Sequence, residues 1–184
     1  LASSGRLDEL IKVEVKVSEL WPNSSFLNLI RTHRLAEQKD YQGLITLYDT
    51  WKMNDADLNL LDQYVFIYAY SLKKAGRAQE SLTLVKRFET QIGSDNKYLQ
   101  AQVHLFSSRN NEALRLLDSV RIGWYNLSVS TINPLFDPVR NDTQFEKFIS
   151  QNTERMADER ARIRQHESNG FLPTPQDYFA GLTE

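Results

Sequence analysis

Histidine, aspartate and lysine are the residues of this chain that could do chemistry, and their spacing argues against catalysis. The three histidines, His33, His104 and His166, fall on different predicted elements. None stands four residues from another, the spacing by which one helix offers two imidazoles to a metal ion. Asp55, Asp57 and Asn59 begin like a calcium loop. Leu60 stands where that loop needs a glycine, and no glutamate closes it. Cysteine is absent, which removes thiol nucleophiles, thiolate zinc sites and disulfides. The phosphate-cradling strings G-x-x-x-x-G-K-[ST] and G-x-G-x-x-G are missing, as is the nucleophile elbow G-x-S-x-G. The chain is therefore read as having no catalytic residues, no metal site and no cofactor. What remains is recognition chemistry: aromatic rings interleaved with lysines, as at Tyr70, Lys73 and Lys74, where apolar area supplies affinity and cations fix carboxylates.

Such residues need rigid elements to hold them. The chain has 184 residues, 41% hydrophobic and 25% charged, with a formal net charge of −2. That is the composition of an ordinary globular domain. It supplies no field to draw nucleic acid, and basic residues are interspersed with acids, so no nucleic-acid partner is expected. No apolar run approaches the ~20 residues that span a bilayer, so no membrane insertion is expected either. Cysteine content does not settle the compartment, cytoplasmic or periplasmic. A chain that begins at Leu1 reads as a piece of a longer or processed protein, whose signal or anchor could lie upstream.

Hydrophobic periodicity predicts helices. Residues 1–23 form an N-terminal segment in which Ile11, Val13, Val15 and Val17 alternate with Lys12, Glu14 and Lys16, a strand period. Leu7, Leu10, Ile11, Val17, Leu20 and Trp21 also fit a helical stripe. A lone strand would have nowhere to pair, which favours helix. From residue 24 the pattern is clearer. Ser24 or Ser25 caps a helix through Leu35, and a second carries Tyr41 to Trp51. Asn54 to Asp57 caps a third, Leu58 to Leu72, which stops at Lys73-Lys74-Ala75-Gly76. A fourth runs from Ala78 to Phe88. Ser94 or Asp95 caps a fifth carrying Tyr98 to Phe106, and a sixth follows Asn110-Asn111.

The second helix of each pair starts near Tyr41, Arg77 and Asn110, a spacing of roughly 34 residues. Two helices approach closely where a small residue on each faces the other. Ala69 with Ser81, and Ala101 with Ala113, fill those places in the second and third pairs, whereas Thr32 and Leu44 stand there in the first. On these residues, segment 24–122 resembles a tetratricopeptide repeat array. The resemblance implies an all-α fold: a right-handed superhelix of antiparallel helix pairs, about three of them, closed by a long C-terminal capping helix. It also implies a concave face lined by the first helix of each pair. Leu29, His33 and Glu37, then Gln63, Phe66, Tyr70, Lys73 and Lys74, then Tyr98, Gln102 and Leu105 should line it. Of these, Phe66, Tyr70, Lys73, Lys74, Tyr98, Gln102 and His33 are the candidate partner-binding residues. Leu29 and His33 occupy the places where carboxylate-clamp tetratricopeptide domains carry polar clamp residues, so that clamp is not expected.

Segment 123–166 should close the array. INPLFDPVRNDTQFEKFI, residues 132–149, resembles the closing segment of such arrays in bacterial signalling and regulatory proteins. The match rests on Pro134, Phe136, Asp137, Pro138, Arg140, Asp142 and Phe145, although Thr143 replaces a frequent second proline. Phe136 should plug the end of the last repeat, and Asn141 or Asp142 should cap the helix that follows. Past Met156 that helix turns polar, with Asp158 and Arg162 spaced for an ion pair. Residues 167–184 form an extended tail with Phe171, Tyr178 and Phe179. The resemblance implies a protein-interaction or sensing module of a larger bacterial regulatory protein, gripping another protein or a peptide. A homodimer or scaffold element and a small-molecule sensor are the alternatives.

Overall fold

The computed structural model describes residues 3–22, 24–51 and 62–170. Among them every regular element is a helix. The expected cap at Asn54 to Asp57 lies outside the described residues, as do Phe171, Tyr178 and Phe179.

Helix α1, Ser3–Leu20, settles the ambiguous N-terminal segment. Of the alternating valines only Val17 is buried, against Leu27 and Ile30. Val13 and Val15 face solvent, as one side of a helix must. Helix α2, Ser25–Glu37, is capped by Ser24, whose side chain accepts from the Leu27 amide at 3.1 Å. Glu14 of α1 reaches Arg31 and Arg34 of α2 and joins the two helices. Asp40 caps α3, Tyr41–Trp51, by accepting from the Gly43 amide at 2.8 Å. A side chain at Gly43 would require the Asp40 carboxylate and the Leu35 side chain to shift. A Cβ there would stand 2.8 Å from Leu35 Cδ2, so the close approach in the first pair falls at Gly43 rather than at Leu44.

Helices α4, Asp62–Lys74, and α5, Ala78–Glu89, form the next pair. Gly76 turns the chain between them at φ +81°, a conformation that costs glycine nothing. Ala69 and Ser81 are both fully buried, and the Ser81 hydroxyl donates to the Ala69 carbonyl, as the small-residue contact predicts. The Tyr68 hydroxyl donates to Asp49 at 2.6 Å and ties α4 to α3. Helices α6, Lys97–Phe106, and α7, Asn110–Leu117, repeat the arrangement around fully buried Ala101 and Ala113. The cap of α6 is Asn96, which accepts from the Leu99 amide, and not Ser94 or Asp95. The cap falls one or two residues later than the sequence suggests, at the side chain three residues before the Leu99 amide.

The chain then doubles back. Helix α8, Trp124–Ile132, and a 3-10 turn, Pro134–Val139, lie across α2, α4 and α6, the first helix of each pair. Val129 and Ile132 pack with Leu35, Tyr48, Tyr64 and Ile67. Phe136 is fully buried between Tyr98 and Phe145. Helix α9, Thr143–Ser168, starts at Asp142, which accepts from the Gln144 amide. Its first half is anchored by Phe145 and Phe148. Asn152, also buried, accepts from the Ile122 amide and donates to the Val120 and Phe148 carbonyls. Beyond Met156 its outer residues face solvent, and its ion pair joins Arg155 to Glu159 rather than Asp158 to Arg162.

Candidate functional site

The residues expected to line one binding face divide into two groups. Phe66, Tyr98 and Gln102 are interior. Phe66 is wholly buried and meets Phe88 edge-on at 5.4 Å. The Tyr98 hydroxyl lies 2.7 Å from the Ser130 hydroxyl and 3.2 Å from the Asn126 carbonyl oxygen, both on α8. Gln102 accepts from the Asn133 amide nitrogen at 3.4 Å, while its own amide nitrogen has no partner among the described residues. These three are therefore not presented to a partner in this structure. The cause for Tyr98 and Gln102 is α8 and the residues after it, which occupy the face that the helix pairs alone would leave open. His33 is half-buried on α2, with its Nε2 3.0 Å from the Tyr64 hydroxyl and the two rings tilted at 6.0 Å. It stands apart from the other candidates. Leu29 is half-buried against the same cluster as Val129.

Tyr70, Lys73 and Lys74 do come together. They border a groove of about 340 Å³ whose other walls include Leu105 and Phe106 of α6 and Leu135 and Pro138 of the 3-10 turn. Each residue is placed for a local reason. Tyr70 is half-buried and tilts onto Tyr41 with the ring centres 6.0 Å apart. Lys73 and Lys74 form the last turn of α4, where the helix dipole favours cations. Lys74 Nζ sits 5.3 Å from the centre of the Tyr70 ring, and Lys73 Nζ sits 5.1 Å from that of Phe106. Both ammonium groups are thus held at the groove by aromatic faces.

Neither ammonium meets a carboxylate among the described residues. The nearby acid on the 3-10 turn, Asp137, is already engaged. It accepts from Lys39 at 3.2 Å and from Arg140 at 2.7 Å. That carboxylate holds the Lys39 amine above its ordinary pKa by hydrogen bond and charge. Burial, with the neighbouring Tyr70, raises the Tyr41 phenol, and Lys39 and Lys74 pull it the other way. The groove is a positively charged rim over an apolar floor.

Sequence reasoning missed the far wall. Leu135 and Pro138 read as closing-segment residues, and nothing in their spacing places them beside Tyr70. Arg140 was legible only as part of a string. In the structure its guanidinium donates to the Thr131 and Asn133 carbonyls at 2.7 and 2.9 Å as well as to Asp137, so it satisfies the end of α8. A larger cavity of about 660 Å³ lies between the link after α7 and α9, but its lining alternates Asp118, Arg121, Asp158 and Arg162 and converges on no single charge. Among the described residues no three His, Asp or Glu side chains gather as a metal site, and no helix is long and apolar enough to cross a membrane. No family model, curated protein or solved structure matches this chain.

Proposed function

We propose that this chain is a non-catalytic protein-interaction module of a larger bacterial regulatory protein, built as a tetratricopeptide-like superhelix that grips a segment of another protein. The observation that supports this is the groove at Tyr70, Lys73 and Lys74. Two cations sit there at the edge of an apolar floor, with no carboxylate beside them among the described residues. Cations with no structural counter-ion beside apolar area match the composition of peptide-binding surfaces. In this reading α8 and the 3-10 turn close the rest of the inner face and confine binding to the end of the groove.

A pull-down with the purified chain, beside a Tyr70→Ala/Lys73→Ala/Lys74→Ala variant of equal helical circular dichroism, tests the reading. A partner kept by the wild type and lost by the variant supports it. A partner held equally by both removes the groove from the function.

Self-association is the second reading, and a different surface favours it. Ile11, Val15, Leu20, Trp21 and Phe26 are all exposed near the junction of α1 and α2, from 40% for Ile11 to 57% for Trp21. Repeat arrays need polar outer faces at their ends to stay soluble, and at this end the exposed charges of α1 are interrupted by apolar side chains. A sedimentation mass that rises with concentration, and falls back on Ile11→Glu/Val15→Lys substitution, would establish a homodimer through this end.

A further inference from the structure

We infer that the groove takes an acidic peptide, in which a carboxylate side chain stands beside an aliphatic or aromatic one. This rests on the interaction-module reading above and names its ligand class. Several cations of the chain are already neutralised. Lys39 is paired with Asp137, Lys147 with Asp118, and Arg77 with Glu80 and Asp49. Lys73 and Lys74, adjacent in sequence and on the same rim, meet no acid among the described residues. Asp137, the chain neighbour of Pro138 but not itself a lining residue, spends its oxygens on Lys39 and Arg140. An incoming carboxylate therefore finds two ammonium groups on the rim and, among the described residues, no acid paired with either.

The apolar half of the ligand follows from the floor. Leu105, Leu135 and Phe106 are nearly buried and leave only their outer edges to the groove, with Pro138 exposed beside them. A space of about 340 Å³ lies at the low end of ligand pockets, room for a side chain or two rather than a folded surface. Nucleic acid fits poorly. Tyr41 tilts onto the Tyr70 ring and the Lys74 ammonium sits over it, so a stacked base would compete with both. Lysine is a rotatable point charge, so it can meet a carboxylate on a flexible peptide without the fixed bidentate geometry that arginine's planar fork requires.

The probe is a displayed library of random dodecapeptides, selected on the full chain and counter-selected on a Lys73→Glu/Lys74→Glu variant whose circular dichroism and melting match the wild type. The expected result is enrichment of peptides that pair Asp or Glu with Leu, Ile, Phe, Tyr or Trp. An enriched peptide resynthesised with Asn or Gln for its acid should bind several-fold more weakly, and the charge-reversed chain about tenfold or more weakly, since each exposed ion pair contributes little by itself. A Lys73→Gln/Lys74→Gln chain should fall between. Enrichment of neutral or basic peptides, still lost on Tyr70→Ala, would overturn the acidic ligand and leave the groove as an interaction site. Preference for a phosphopeptide over its Asp or Glu counterpart would overturn it equally. Enrichment indifferent to every groove variant, or none at all, would overturn both.

Discussion

The phenolic oxygen of Tyr98 on α6 lies 2.7 Å from the hydroxyl oxygen of Ser130 on α8, and both residues are buried. A contact of this kind joins a helix pair to the segment that follows it by 32 residues. It shows why residues of the right type for a partner surface can be interior: the chain supplies its own occupant. Ser130 also donates to the Asn126 carbonyl at 2.8 Å, so the polar groups on this seam are largely satisfied. Replacing Tyr98 with Phe should cost about 1 kcal/mol, the net worth of one buried hydrogen bond, with no change in helical content. Urea denaturation of the two proteins side by side measures it.

Phe136 is the plug on which the C-terminal half turns. It is wholly buried, stacked against Tyr98 at 6.3 Å and packed on Phe145 at 5.3 Å. Phe136→Ala should destabilise the fold by roughly 3–5 kcal/mol through lost burial and the cavity left behind, and Phe136→Leu by clearly less. Equal midpoints for the two variants would mean that the site collapses around the missing ring.

Arg140 should be irreplaceable by lysine. Its fork serves Asp137 and the Thr131 and Asn133 carbonyls together, three acceptors that one ammonium cannot reach in the same geometry. Arg140→Ala should cost about 2–3 kcal/mol, and Arg140→Lys should recover less than half of that. Thermal melts at pH 7 decide between this and a simple charge effect, in which lysine would restore everything.

At the crossing of α4 and α5, the buried Ala69 and Ser81 leave no space for a larger side chain. Ala69→Leu should destabilise by about 1–3 kcal/mol or more through overpacking, whereas Ala75→Leu on the exposed turn should stay within about 0.5 kcal/mol. Guanidinium unfolding curves of both variants provide the comparison.

Acidification should weaken the fold through His104. Burial lowers its pKa below the ordinary 6.5, and Arg109 acts in the same direction, against weaker opposing influences from Glu112 and Glu89. The unfolded chain therefore takes up the proton at a pH where the folded chain still refuses it. The stability contribution is complete above the unfolded value near 6.5 and is lost as pH falls toward and through the lower folded value. His104→Gln should flatten the pH dependence of the melting temperature across that window. An unchanged slope would assign it to carboxylates instead.

The local elements were legible in the chain because their signals are local. Ser24 sits next to the amides it caps, Gly76 is the residue that can adopt φ +81°, and Ala69 and Ser81 mark a close helix crossing wherever the pair happens to lie. The helix at residues 3–20 was ambiguous for the same reason: period two and period 3.6 both fit Ile11 to Val17, and only the contact of Val17 with Leu27 and Ile30 separates them. The groove at Tyr70, Lys73 and Lys74 was half legible, since its rim lies on one helical turn. Its floor was not. Leu135 and Pro138 come from some 65 residues further along the chain. The burial of Phe66, Tyr98 and Gln102 was decided by tertiary structure alone. A residue's type and register specify which face of its helix it occupies, but whether that face meets water depends on what packs over it: Phe88 of α5 over Phe66, and α8 with the residues after it over Tyr98 and Gln102, a docking that no local pattern encodes.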